Sequence, residues 1–97
     1  MELRVATIIE AAPHPNADKL LLMKVKVGDS EKQIVAGIRK YREPDTLIGK
    51  QIIIVDNLEP AVLRGERSEG MLLAVLANGE FALLQPDAKV ADGSRVS

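Results

Sequence analysis

The sequence predicts an all-β fold, a five-stranded Greek-key barrel with one short helical turn and an extra C-terminal hairpin. Three observations carry this expectation. Apolar residues alternate with a period of two through the first third of the chain, the run Ile52-Ile53-Ile54-Val55 is rich in β-branched residues, and Asn78-Gly79 sits between two apolar segments. Alternation sends successive side chains to opposite faces of a strand, and β-branched side chains suit a pleated surface. Asparagine-glycine supplies the two positive-φ positions that a type I′ hairpin turn demands.

Along residues 3–11, Leu3, Val5, Thr7 and Ile9 fall on one face and Arg4, Ala6, Ile8 and Glu10 on the other. This reads as a half-buried strand. Residues 13–20 (Pro13-His14-Pro15-Asn16-Ala17-Asp18-Lys19-Leu20) form a rigid turn, because proline fixes φ and Asn16 and Asp18 can bond the neighbouring backbone. His14 is expected to be exposed there. Along residues 20–27, Leu21, Met23, Val25 and Val27 alternate with Leu20, Leu22, Lys24 and Lys26, which points both lysines outward. Gly28-Asp29-Ser30 is turn chemistry, and residues 32–37 are a further short strand. Glu43-Pro44-Asp45 followed by Thr46-Leu47-Ile48-Gly49 predicts one helical turn stopped by glycine. Residues 51–55 form a central buried strand, residues 57–70 a long loop, and residues 71–76 another strand. Phe81 to Leu84 closes the hairpin, and Pro86 ends it. Five or six short strands with a helical turn among them suit a small closed barrel such as the OB-fold, and closure removes exposed strand edges. The periodicity also accommodates a small open sandwich.

With 97 residues, 46% of them hydrophobic, the chain is read as one compact domain, residues 1–97. Cysteine is absent, which removes disulfides and thiolate chemistry together. His14 is the sole histidine, so no two-histidine metal site and no Cys–His pair can form. No G-x-S-x-G, Walker or G-x-G-x-x-G pattern occurs. The expectation is a non-catalytic protein without metal or cofactor. No apolar stretch reaches the roughly 18 residues that span a bilayer, and no secretory leader is recognisable, which suggests the cytoplasm. Thirteen basic against fourteen acidic residues give a net charge of −1, so contact with a polyanion has to come from a local patch.

Three segments stand out. Residues 13–20 read first as a self-satisfied strand connection, with Lys19 and Asn16 able to touch a phosphate. Arg39-Lys40-Tyr41-Arg42 is the densest basic cluster. It reads equally as a phosphate and base-stacking site or as a solvated loop with Tyr41 packed on the barrel. Residues 57–71 crowd Asn57, Arg64, Gly65, Arg67, Ser68 and Gly70 into one connection. Arginine supplies charge there, serine and asparagine supply directional hydrogen bonds, and glycine allows close approach.

Together these segments resemble the tRNA-binding domain family, found as the C-terminal extension of methionyl-tRNA synthetase and as a free-standing structure-specific tRNA-binding protein. Leu3-Arg4-Val5 resembles its opening strand, His14 through Leu20 its first loop, and Ile34-Val35-Ala36-Gly37-Ile38 its middle strand and bend. Asn57-Leu58-Glu59-Pro60 and Arg64-Gly65-Glu66-Arg67-Ser68-Glu69-Gly70-Met71 resemble its most diagnostic stretch. The resemblance implies an OB-fold, homodimerisation, and binding to the outer corner of tRNA, with a synthetase catalytic subunit as a possible partner. Carried over by position, it places Asn57, Arg64, Ser68 and Met71 at or beside the RNA, with Arg39 and Lys40 in support. Met71 is equally readable as a core anchor. Lys24, Lys26, Arg39, Lys40 and Arg64 would neutralise phosphates, while Asn57 and Ser68 would fix register. Glu59 and Val62 stand where the family commonly has lysine, which lowers the expected affinity. With only Tyr41 and Phe81 aromatic, a folded RNA read by shape is the better expectation than a single strand read by stacking. The alternative function is a protein-binding module of the same fold, resembling a secretion-chaperone-like family that binds apolar peptide.

Overall fold

The computed structural model describes residues 1–97. Its elements are β1 (Leu3–Pro13), β2 (Leu21–Val27), β3 (Ser30–Ala36), a 3-10 turn (Pro44–Thr46), β4 (Gln51–Val55), β5 (Ala61–Leu63), β6 (Glu66–Ser68), β7 (Met71–Leu72), β8 (Ala74–Ala77), β9 (Glu80–Leu83) and β10 (Arg95–Val96). The main antiparallel sheet runs β3-β2-β1-β4-β7, with β10 added to β1. β1 serves both halves of it. Residues Leu3 to Thr7 pair with β4, residues Thr7 to Pro13 pair with β2, and the register slips between Ile8 and Glu10. Such a bulge bends its strand and increases local twist, which lets a single sheet curl on itself. The curl brings the edges together: Glu69 N–H donates to the Gln33 carbonyl at 2.8 Å, and Val35 N–H donates to Ser68 Oγ at 3.0 Å. The all-β, OB-type expectation holds.

The interior is aliphatic, as the composition requires. Ile8, Leu21, Met23, Val25, Ile34, Leu47, Ile52 and Ile54 are fully buried in one cluster. β2 follows its expected alternation, with Leu21, Met23, Val25 and Val27 inside and Lys24 and Lys26 exposed. β1 does not, since Val5, Ala6 and Ile8 are all buried. Ala6 and Ile8 face the core, while Val5 is covered by the C-terminal segment, whose Ser94 carbonyl accepts from Val5 N–H at 2.9 Å. That segment needs Gly93, which lies at φ +86°, and a Cβ there would sit 2.8 Å from the Gly28 backbone nitrogen.

The expected helical turn is present as a single 3-10 turn, followed by Gly49 at φ +91°. Three elements differ from expectation. The strand expected over 71–76 breaks at Leu73, whose N–H donates to Ile53 and whose carbonyl accepts from Leu84, so β8 and β9 stand as a separate hairpin. Its turn, Asn78 and Gly79 at φ +55° and +78°, has the expected type I′ sign at both positions. Residues 57–70 are not one loop: β5 and β6 form a hairpin turned by Arg64 and Gly65 at φ +54° and +90°. Finally, β10 pairs with β1 beyond Pro86, where no strand was expected. Two residues carry no periodicity from which to read it.

Candidate nucleic-acid interface

The β5–β6 hairpin is fastened to the turn between β1 and β2. His14 is buried, only 3% exposed, which corrects the expectation of an exposed loop residue. Its Nδ1 accepts from Asn16 N–H at 2.9 Å, and Nε2 lies 3.0 Å from the Leu63 carbonyl at the hairpin tip. Arg64 then donates to the Asn16 carbonyl at 3.1 Å. Two tight positive-φ residues at the tip are what allow Leu63 and Arg64 to meet the same turn. Arg64 lines a shallow cleft with Ala17, Asp18, Lys19 and Leu20. Arg39 enters from the β3 side, its N–H donating to the Lys19 carbonyl at 3.4 Å. Lys40 follows, exposed, with Nζ 5.4 Å from the centre of the Tyr41 ring.

Lys19 and Arg64 therefore share one cleft, and the backbone of Arg39, with Lys40 next along the chain, is bonded to the same turn. None of them belongs to any of the four ion pairs, which join Arg4 to Glu2 and Asp56, Lys24 to Glu10, and Lys32 to Asp56. Their charge is free to meet an external anion. Tyr41 is not a free stacking platform. Its ring lies against Phe81 with centroids 4.9 Å apart and planes 5° from parallel. The packed reading of that cluster is the one observed. Arg42 is also engaged, donating to the Tyr41 and Phe81 carbonyls at 2.9 and 3.1 Å.

The remaining expected residues lie elsewhere. Lys24 and Lys26 share the outer face of β2, about 10 and 17 Å along the strand from Leu21, and Lys24 pairs with Glu10 at 3.4 Å. Asn57 is exposed near the start of β1, its Oδ1 accepting from Glu2 N–H at 2.8 Å. Met71 is half-exposed at the start of β7, so it is no core anchor. Ser68 is buried, accepting from Val35 N–H and donating to the Gly70 carbonyl, both at 3.0 Å. Its hydroxyl closes the barrel and positions the hairpin. Ser68→Ala is expected to strand the Val35 N–H and cost about 1–3 kcal/mol in a urea unfolding experiment. A change below about 0.5 kcal/mol would show that water takes over the bond.

Sequence reasoning passed over two features of this surface. One is Gln33, whose amide donates to the Arg67 carbonyl at 2.8 Å and to Glu66 at 3.3 Å, holding β6 beside β3. The other is the exposure of several apolar side chains on and near the hairpin: Val62 at 70%, with Leu58, Leu63 and Met71. The first gives no signal in a single sequence. The second was legible only once residues 61–68 were known to be a hairpin.

Residues 3–95 match the family model described as "Putative tRNA binding domain". The chain is 49% identical over 96 residues to the methionine–tRNA ligase of Thermococcus kodakarensis, covering 99% of this chain and 13% of that enzyme. It thus spans about an eighth of the length of that relative. The fold matches the MetRS-related protein of Pyrococcus horikoshii with a TM-score of 0.91 and 32% identity, over 99% of this chain and 89% of the other. It matches the chaperone CsaA of Bacillus anthracis with a TM-score of 0.87 and 33% identity, over 99% and 90%.

Proposed function

The chain belongs to the tRNA-binding domain family, and from that premise we propose that residues 1–97 act as one non-catalytic module that docks on folded tRNA. The observation that carries this reading is the end of the barrel where Arg64 is held beside Lys19 and Arg39, all three free of ion pairs. Fixed cations of this kind neutralise phosphates and release counterions, so affinity falls as salt rises. Lys40 follows Arg39 in the chain. Lys24, Lys26, Asn57 and Met71 lie apart from this cleft and would meet the RNA only where it extends beyond it, and Ser68 acts through the hairpin it positions. The covered face of Tyr41 supports recognition of RNA by shape and phosphate rather than by stacking on single-stranded bases.

The module is the accessory partner of a methionyl-tRNA synthetase in the cytoplasm. No helix is long and apolar enough to cross a membrane. A linked or associated tRNA-binding unit raises the effective concentration of tRNA at a catalytic site that sits elsewhere. Two copies would compound the effect. The β8–β9 hairpin supports a homodimer, because Val75 and Leu76 of β8 are both exposed although they point to opposite faces. β8 is also an edge, hydrogen-bonded only to β9. An apolar edge strand of this kind invites pairing with a second copy.

The test is a tRNA titration at about 0.05 and 0.2 M salt, with a single-stranded RNA of equal length as competitor. Saturable binding that weakens with salt and resists the competitor is expected. Arg64→Ala is expected to weaken binding about tenfold and flatten the salt slope by about one. An unchanged slope would remove Arg64 from the interface. The exposed apolar side chains of Val62, Leu58 and Met71 favour a second reading, capture of apolar peptide, as the likeness to a chaperone suggests. That reading requires salt-insensitive peptide binding and indifference to tRNA.

A further inference from the structure

Arg39-Lys40-Tyr41-Arg42 divides into two residues with free charge and two that are engaged. Arg39 and Lys40 belong to no ion pair, and Lys40 is exposed. Tyr41 and Arg42 both turn to one residue of β9. The Tyr41 and Phe81 rings, near-parallel with centroids 4.9 Å apart, are offset-stacked, which is a favoured arrangement. Arg42 donates to the Phe81 carbonyl, and its guanidinium carbon lies 4.9 Å from the Phe81 ring centre, where the aromatic face attracts a cation. Lys40 Nζ lies over the same Tyr41 ring that Phe81 covers.

Little else fixes the turn that carries these charges. Residues 37–43 lie between β3 and the 3-10 turn and belong to no strand. Ile38 is buried, and its carbonyl accepts from Tyr41 N–H at 2.9 Å and from Arg42 N–H at 3.2 Å. The backbone link to the β1–β2 turn is the long 3.4 Å bond from Arg39 N–H to the Lys19 carbonyl. Phe81, in contrast, is a fixed platform: it packs on the core and pairs across the β8–β9 hairpin with Leu76.

We propose that Phe81 is a positioning residue for the tRNA surface, holding the 39–42 turn so that Lys40 is ordered before RNA arrives. The proposal rests on the tRNA-docking reading and adds to it the group that presents Lys40. A lysine on an untethered turn gives up backbone and rotamer freedom when it meets a phosphate. A turn already fixed avoids that cost, which is the gain from preorganisation. Phe81 carries no charge, so its removal leaves the cations in place and takes away their order. Affinity and salt dependence then separate. Loss of order lowers affinity at every salt concentration, while the salt slope, which counts the phosphates contacted, stays the same.

A tRNA titration across a salt series tests this. Phe81→Leu, which keeps an apolar side chain on the core and removes the ring, is expected to bind about fivefold more weakly with the slope unchanged. Phe81→Tyr keeps the ring and is expected to recover wild-type affinity to within about twofold. Lys40→Ala is expected to lower the slope by about one. Should urea unfolding show that Phe81→Leu does not fold, Tyr41→Leu removes the same stack from the loop side and carries the same expectation. Backbone 15N relaxation of the RNA-free protein supplies the independent arm. The Lys40, Tyr41 and Arg42 amides are expected to be more mobile in Phe81→Leu than in wild type, and to match wild type in Phe81→Tyr. Wild-type affinity or a reduced slope in Phe81→Leu, no recovery in Phe81→Tyr, or an unchanged slope in Lys40→Ala overturns the proposal. If the wild type binds no tRNA, the docking reading fails and the amide mobilities alone decide whether Phe81 holds the turn.

Discussion

Leu76→Glu is expected to dissociate the homodimer proposed through β8, raising its dissociation constant by about a thousandfold or more. Leu76 is 57% and its neighbour Val75 53% exposed, on a strand whose four residues are all apolar and all exposed. In an ordinary half-buried strand, one of two adjacent side chains points inward. Here β9 packs Phe81 and Leu83 on the core, while β8 lies outside it, joined to the barrel through the bonds among Leu73, Leu84 and Ile53. A twofold interface places the substituted residue in the contact twice, so each dimer would bury two unpaired carboxylates. Fold stability of the monomer should change by no more than about 0.5 kcal/mol, since the position is exposed in one copy. Sedimentation equilibrium reads the association and thermal unfolding of dilute protein reads the fold. If Leu76→Glu leaves the oligomeric state of the wild type unchanged, β8 is not the interface, and the apolar hairpin needs another partner.

Legibility of the fold followed the strength of local signals. β2 was readable because one face carries Leu21, Met23, Val25 and Val27 without a break, and its lysines emerged where the alternation put them. β4 was readable from three consecutive isoleucines, and the β8–β9 turn from Asn78-Gly79. The β5–β6 hairpin was not. Its turn is Arg64-Gly65, and arginine is an unusual residue at positive φ, so the dipeptide carried no turn signal. What holds Arg64 there is tertiary: the bond to Asn16 and the neighbouring His14–Leu63 contact. The joining of the sheet edges was equally hidden, because it depends on Ser68 and Glu69 reaching Val35 and Gln33, far away in sequence.

The candidate site divides on the same line. Charge was visible in the sequence, and Arg64 shares a cleft with Lys19, to whose carbonyl the Arg39 N–H is bonded. Burial was not visible. Ser68 and His14 were weighed as groups that could meet a ligand or solvent, and both turn out to hold the backbone that presents the arginine. A histidine between two prolines gives little indication that it faces inward. The later hairpin supplies the carbonyl that makes its burial tolerable, since a buried ring nitrogen without a partner is costly.

Glu59→Lys combined with Val62→Lys is expected to tighten tRNA binding on the order of fiftyfold near 0.1 M salt and to steepen the salt slope by about two. The resemblance places both residues where the family commonly has lysine, and both are exposed, Val62 to 70%. Val62 lies opposite Arg67 in the β5–β6 pairing, three residues after Glu59 and two before Arg64. New lysines at 59 and 62 would therefore continue the cationic end along the hairpin toward Asn57. Each new phosphate contact releases about 0.9 of a counterion in the duplex approximation, which fixes slope and affinity together. Neither substitution disturbs the core, so unfolding midpoints should move little. Equilibrium titration across a salt series measures both quantities on one sample. A gain of affinity with the predicted slope means the hairpin flank faces phosphate. No gain and no change in slope means the RNA lies along Lys24 and Lys26 instead, and the exposed face at Val62 serves a different contact.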